Sequence, residues 1–257
     1  EVNFRVDLLR NNKNWRVNLN GNLSHNKNKI LNISEALKAY NQELISGDES
    51  DYTRPIPQYV EGQSLSMIYA VRSLGIDTQT GKEVYVKRDG SKTYTYSASD
   101  MVPIAEAAPK AEGFIGATVS YKRFILTANM HYKFGGYMFN QTLVDRVENA
   151  DPRYNVDRRA LEQRWQNPGD VAFFKSITST SLTRATSRFV QKDNEMGLTS
   201  LNLTYELPKA TAKKLFMENL RFGINMGETW KWSSVDIERG IDYPFSRTMT
   251  FSITAQF

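Results

Sequence analysis

From Met249 onward every second residue is apolar (Met249, Phe251, Ile253, Ala255, Phe257), and the residues between are Thr250, Ser252, Thr254 and Gln256. Successive side chains of a strand point to opposite faces, so this pattern predicts a strand with one apolar and one polar face. The same alternation runs through Val2 to Leu8, Trp15 to Leu23, Ile115 to Tyr121, Phe124 to Phe134, Leu201 to Leu207 and Leu220 to Met226. Together these segments predict seven amphipathic strands and an all-β fold.

The connections between them alternate in length: about five residues (10–14), about 90, two (Lys122 and Arg123), about 60, about eleven and about 16. Nothing in a β-sandwich sorts short turns to one edge and long loops to the other. An outer-membrane barrel does so, with short periplasmic turns and long external loops. The expectation is therefore a transmembrane antiparallel β-barrel portion of about seven strands, with external loops at about 25–112, 135–196 and 231–246 and a periplasmic C-terminus. Aromatic placement agrees. Trp15, Tyr121, Phe124 and Phe257 lie at short-turn ends, and Phe134, Tyr137, Trp230 and Trp232 at long-loop ends, as two interfacial girdles require. The competing expectation is a soluble or surface-attached β-sandwich that binds glycans, in which the apolar faces would form an inner core.

Composition narrows the function classes. Without cysteine there is no disulfide framework, thiolate metal site or cysteine nucleophile. His25 and His131, the only two histidines, have no metal-ligating neighbour at ligand spacing. No apolar run approaches the roughly 20 residues of a membrane-spanning helix, and the opening residues read as strand rather than signal peptide. A mean hydropathy of -0.52 does not count against a barrel, whose strands hide their apolarity in alternation. The net charge of +5 is small and dispersed, so nucleic acid is not an expected partner. No phosphate-cradling loop or nucleophile elbow occurs, no cofactor is implied, and catalysis has no support.

The long loops carry structure of their own. Ser34 can cap a helix over Glu35 to Leu44; Gly81 and Asp89-Gly90 punctuate short strands around Val84 to Lys87 and Tyr94 to Tyr96. A second helix is expected from Val156 to Gln166, stopped by Asn167-Pro168-Gly169.

Several stretches, in order along nearly the whole chain, resemble the C-terminal half of the barrel of SusC/RagA-type TonB-dependent transporters of Bacteroidetes outer membranes. They are Glu61 to Leu65 through Ile68-Tyr69 to Gly75-Ile76-Asp77 and Thr80-Gly81; Pro109-Lys110 with Gly113-Phe114; Phe134-Gly135-Gly136; Arg164-Trp165 with Pro168-Gly169-Asp170; Arg188-Phe189-Val190; Leu198 to Pro208; and Tyr243-Pro244 through Phe257. The chain departs from the family at Ser64, where Pro is common, and at Ala70, where Gly is common. The resemblance implies a barrel of about 22 strands closed around a plug. It also implies energy from TonB, a SusD-like surface lipoprotein as partner, and uptake of oligosaccharides or oligopeptides. Seven strands cannot close such a cylinder, and an odd number leaves two unpaired edges in lipid. The chain is therefore expected to be one piece of a transporter whose N-terminal barrel strands and plug come from elsewhere.

Candidate functional residues follow from these readings. Phe257, with Ala255, Ile253 and Phe251 on one face, resembles the C-terminal assembly signal of outer-membrane barrels; the plainer reading is the end of an apolar strand face. Arg16, Arg123, Arg221 and Glu206 belong to the polar, lumen-facing parity near the short turns, where they could pair with plug carboxylates or stand as solvated wall residues. Trp230, Trp232, Tyr69, Tyr94, Tyr96 and Trp165, together with Tyr52 and Tyr59, sit at strand tops or in loops, where aromatic faces suit sugar or peptide contact but more often serve girdles and loop cores.

Overall fold

The computed structural model describes residues 1–9, 12–46, 53–151, 153–179, 181–236 and 247–257. Tyr52, Tyr243 and Pro244, with most of the 231–246 loop and part of the first turn, lie outside the described residues. All seven expected strands are present: β1 (Val2–Leu8), β2 (Trp15–Leu23), β7 (Ala111–Tyr121), β8 (Phe124–Phe139), β9 (Val190–Glu206), β10 (Asn219–Ser233) and β11 (Thr248–Gln256). They form one antiparallel sheet in sequence order, with β1 and β11 at its edges.

The register turns the one-dimensional alternation into continuous bands, because directly opposed residues of neighbouring strands share a face. One row reads Leu8, Val17, Val119, Leu126, Leu203, Ile224, Phe251 across all seven strands, and the next reads Val6, Leu19, Ala117, Ala128, Leu201, Met226, Met249. Between them, on the opposite face, runs Asp7, Asn18, Thr118, Thr127, Asn202, Asn225, Thr250. Neighbours in that polar wall satisfy one another: Asn18 Nδ2 donates to Asp7 Oδ1 at 2.6 Å, and Asn129 Nδ2 to Ser200 Oγ at 3.0 Å. At the short-turn end the apolar face becomes aromatic across five strands, Trp15–Tyr121–Phe124–Tyr205–Phe222, with ring centroids 4.4 Å apart for Trp15 and Tyr121 and 4.7 Å for Phe124 and Tyr205.

The apolar face is not a core. Phe4, Phe124, Phe222 and Phe251 are exposed, Phe251 at 70%, and no second sheet packs over them among the described residues. A sandwich requires that cover; a lipid-facing wall does not.

Four strands run farther than alternation predicts, so the connections are shorter than 25–112, 135–196 and 231–246: β7 begins at Ala111, β8 reaches Phe139, β9 begins at Val190 and β10 ends at Ser233. β7 extends without a register shift, through the small Gly113 and Ala111; for the other three the pairing is irregular. The register jumps from Asn129–Ser200 to Met130–Leu198, from Lys133–Glu195 to Gly136–Asp193, and from Gly227–Ser200 to Trp230–Leu198. The extra residues at Thr199 of β9 and Gly135 of β8 flip the parity and end a strict period of two, whereas β10 keeps Met226, Trp230 and Trp232 on one face.

The buried residues lie mostly in the long connections. Within the β2–β7 connection, β3 (Met67–Ile76), β4 (Glu83–Val86), β5 (Lys92–Thr93) and β6 (Met101–Glu106) form a second sheet in the order β5-β4-β3-β6. Val71, Tyr96, Ala98 and Met101 make its core. The β8–β9 connection folds as α2 (Gln141–Leu143), a π turn over Val144–Glu148, and α3 (Arg159–Glu162), around Val144, Val147, Phe174 and Phe189. The helix capped by Ser34 forms as α1 (Glu35–Ser46), with Ser34 Oγ accepting from the Leu37 N–H at 3.3 Å.

Two loop expectations are corrected. The helix from Val156 to Gln166 is only the single turn α3. Arg164 Nε, rather than a backbone N–H, donates to the Ala160 carbonyl at 2.7 Å, and the chain at Gln163 to Trp165 pairs instead with Phe174. The strand at Tyr94 to Tyr96 is only Lys92–Thr93; beyond it the chain bends so that Tyr96 packs edge-on against Tyr85, 5.7 Å between centroids.

Candidate functional site

Two arrangements outside the lipid-type face merit description, one on the sheet's polar wall and one in the lobe formed by the long connections. On the wall, near the long-connection end, Lys133 Nζ lies 2.8 Å from Asp193 and 3.3 Å from Glu195, and Lys231 Nζ lies 2.8 Å from Glu195. Beside this chain of charges Gly197 leaves a cleft of about 170 Å³ bordered by His131, Glu195, Thr199 and Lys231. Lower down, Arg221 faces its register partner Glu206 at 3.5 Å, both partly exposed. Arg16 shares a row with Ser120, and Arg123 occupies the two-residue turn, its carbonyl accepting the Glu206 N–H at 3.0 Å.

In the lobe, Arg188 ties the two loop cores together. Its Nη2 is 2.8 Å from Glu83 of β4 and 2.8 Å from Glu148 of the π turn, and Nε donates to Glu83 Oε1 at 3.1 Å. The three side chains are at most 4% exposed. Its guanidinium lies over the Phe189 ring at 4.4 Å, and Thr186 and Thr183 hydroxyls donate to the two carboxylates at 2.8 and 3.2 Å. Burial opposes the charge on Arg188, but the two carboxylates outweigh it and hold its pKa above the ordinary guanidinium value.

Next to this network the β8–β9 connection forms an open pocket of about 730 Å³. Glu148, Arg164 and Lys175 contribute to its floor, and Leu161, Ile177 and Leu182 to its partly exposed apolar rim. Arg164 donates to the carbonyls of Ala160, Lys175, Val147 and Glu148, and Lys175 Nζ to the Ser181 carbonyl. Burial pulls both cations below their ordinary pKa values. Such a pocket can hold an apolar side chain with a hydrogen-bonding or anionic group beneath it. Among the described residues, no three His, Asp or Glu side chains converge on a metal-sized site.

The six aromatic candidates do not gather around this cavity. Trp230 and Trp232 oppose Leu198 and Met196, which puts them on the apolar face of the sheet. Tyr69 is buried in β3, and Tyr96 packs under the Arg184 guanidinium at 5.4 Å. Trp165 donates from Nε1 to the Thr78 carbonyl at 2.8 Å and covers Gly81, where a Cβ would lie 2.5 Å from the indole. Tyr94 is exposed, and its hydroxyl donates to Asp77. Arg164 entered the sequence reading only within a stretch of resemblance and an expected helix, and Val156 to Leu161 only within that helix; as a cavity lining these residues are spread over an irregular 35-residue stretch (148–182) with no repeat or spacing to mark them.

The Asp77 turn has a titratable signature. The Tyr94 hydroxyl, then the Gln79 N–H at 2.8 Å, hold the Asp77 carboxyl below the usual carboxylate range. A depressed folded-state value means the stabilisation is full above the unfolded carboxylate pKa and is lost as pH falls through the folded one. Tyr94→Phe is expected to move that loss to higher pH. The check is exchange of the Gly81 amide, bonded to the Asp77 carbonyl at 2.9 Å, corrected for the intrinsic pH dependence; superimposable profiles for the two proteins would remove Tyr94 from the account.

No protein-family model and no curated protein matches the sequence. Solved structures do. A RagAB peptide transporter chain superimposes over 99% of this chain with a TM-score of 0.75 at 20% identity, as does the RagAB peptide importer in its open-open state. The closed-closed state of that importer gives 0.73 at 21% identity. The chain spans about 28% of the length of the transporter chains it matches. At this identity the likeness is one of fold: the chain is built like a little over a quarter of a RagAB transporter chain, strands and long connections together.

Proposed function

We propose that this chain is part of the barrel wall and external loops of a SusC/RagA-type TonB-dependent nutrient importer in a bacterial outer membrane. The observation that carries the reading is the pair of unbroken apolar rows crossing all seven strands, exposed on one face and backed by an equally unbroken polar row on the other. A sandwich would bury such an apolar face under a second sheet; a sheet with lipid on one side and a watery lumen on the other leaves it uncovered. In this reading β1 and β11 continue the sheet into the rest of a closed barrel, the short turns and the C-terminus face the periplasm, and a plug answers to TonB. The long connections meet a SusD-like lipoprotein and hold the substrate between them. The RagAB neighbours favour oligopeptides over oligosaccharides as that substrate. The protein's work is binding and passage, without bond-making.

The test is uptake by cells carrying the intact transporter, with labelled oligopeptides and oligosaccharides offered in competition. Peptide uptake that stops when the proton-motive force is dissipated is the expected result. A protein that purifies folded and monodisperse from the aqueous phase without detergent would overturn the barrel reading, and energised uptake of oligosaccharides alone would overturn the choice of substrate.

A further inference from the structure

The β9–β10 turn is not a plain turn. It carries α4 (Lys209–Lys214), a short helix that closes at its C-terminus with the Met217 N–H donating to the Ala212 carbonyl and the Phe216 N–H to the Lys213 carbonyl. This is the closure in which the penultimate position takes a left-handed conformation and is ordinarily glycine. Here it is Phe216, at φ +61°. An aromatic residue in that conformation is unfavourable, and packing within the folded chain does not account for it, because Phe216 is 91% exposed. Leu215 beside it is half exposed. Lys209, Lys213 and Lys214 flank this apolar tip; all three are exposed, none makes an ion pair among the described residues, and Glu218 is the only acid between Leu207 and Glu218.

The turn follows directly on the aromatic row Trp15–Tyr121–Phe124–Tyr205–Phe222. The neighbouring short turn repeats its chemistry, since Lys122 extends over the Tyr121 ring with Nζ 5.3 Å from the centroid. Aromatic rows of this kind mark the level of the headgroups, and lysines just beyond them meet lipid phosphates.

We propose that α4 and the Leu215-Phe216 tip form a binding site for anionic phospholipid headgroups in the leaflet at the short-turn end. The two apolar side chains enter the interface, and the three lysine ammonium groups contact phosphate. The inference rests on the barrel reading, which supplies the bilayer. Among possible occupants of this surface, an anionic lipid layer matches both its charge and its continuity with the apolar face of the sheet.

The experiment is native mass spectrometry of the whole detergent-extracted protein that carries this chain, equilibrated with equal amounts of phosphatidylglycerol and phosphatidylcholine. The wild-type protein is expected to retain phosphatidylglycerol preferentially, and K209Q/K213Q/K214Q to lose that preference by roughly ten- to a hundredfold. Phe216→Gly, which relaxes the backbone and so cannot act by unfolding the turn, is expected to lower total lipid retention with the preference intact. Equal retention of the two lipids by the wild type, or a preference unchanged in the triple variant, overturns the site. Failure of the same protein to insert into phospholipid vesicles, measured separately by flotation, overturns the barrel reading, whereas a protein that inserts but shows no headgroup preference overturns the site alone.

Discussion

Arg188→Met is expected to unfasten the lobe of long connections while leaving the sheet folded. The substitution keeps the length and apolar contact of the side chain but strands Glu83 and Glu148 beside each other, each almost fully removed from water. Removing one partner of a buried ion pair typically costs about 3–5 kcal/mol, because the remaining charge has lost its compensation. Here one cation serves two carboxylates that belong to different parts of the chain, β4 and the turn after α2, so the loss falls on the contact between the two loop cores. Amide exchange reads it locally. The Val71 and Asn140 amides, bonded to the carbonyls of Ala185 and Phe189 at 3.3 and 2.9 Å, should exchange roughly two to three orders of magnitude faster. Amides of the strand pairs β7–β8 and β9–β10 should not change. Adding E83Q and E148Q to Arg188→Met removes the stranded charges and is expected to restore most of the protection. Unaltered exchange at Val71 and Asn140 in the single variant would show that the network does not hold the lobe.

That network was not legible in the sequence, although its members were partly in view. Arg188-Phe189-Val190 entered the reading only as a stretch of family resemblance, and Glu83 and Glu148 did not enter at all. Pairing between residues 40 and 105 positions apart (Arg188 with Glu148 and with Glu83) is set by how irregular loops pack, which no local period records. The wall was legible because each of its strands carries its own two-sided environment in its alternation, and the sheet then follows from short turns that leave neighbours no choice but to pair. Legibility stopped where one residue was inserted: at Thr199 of β9 and Gly135 of β8 the parity flips, so real strand reads as loop, while on β10 the polar Glu228 interrupts the apolar positions between Met226 and Trp230. It failed for β3 for a different reason. Met67–Ile76 is buried from both sides over Tyr69, Ala70 and Val71, so it shows an apolar run in place of alternation. Trp230 and Trp232 illustrate the same limit at the level of the site. Their position near a strand top suited either a girdle or a ligand, and only the register across the bulge set them opposite Leu198 and Met196.

If the apolar face meets lipid as proposed, Leu201→Arg is expected to destabilise the folded protein by about 2–4 kcal/mol, and Ile253→Arg by no more than about 1 kcal/mol. Both residues belong to the apolar face, but at different heights. From Tyr205 in the aromatic row to Met196, the register partner of Trp232, β9 runs nine residues. At about 3.3 Å per residue and a tilt of about 45° this spans roughly 20 Å of bilayer depth, close to the apolar band of an outer-membrane barrel. Leu201 lies near the middle of that span, in the row with Ala128 and Met226, whereas Ile253 is level with Phe222 of the aromatic row. A guanidinium at mid-depth cannot reach water without dragging headgroups inward; one at the girdle reaches it by bending its side chain. Asn202→Arg, one residue away on the polar wall, should be nearly neutral, since the charge then enters the lumen. Equilibrium unfolding of the whole protein in lipid vesicles measures all three. A sheet whose apolar face met a packed protein core would give a different ordering, with the cost set by local packing and no dependence on height along the strand. Equal losses for Leu201→Arg and Ile253→Arg would therefore remove lipid from that face, and with it the physical basis for reading this chain as a barrel wall.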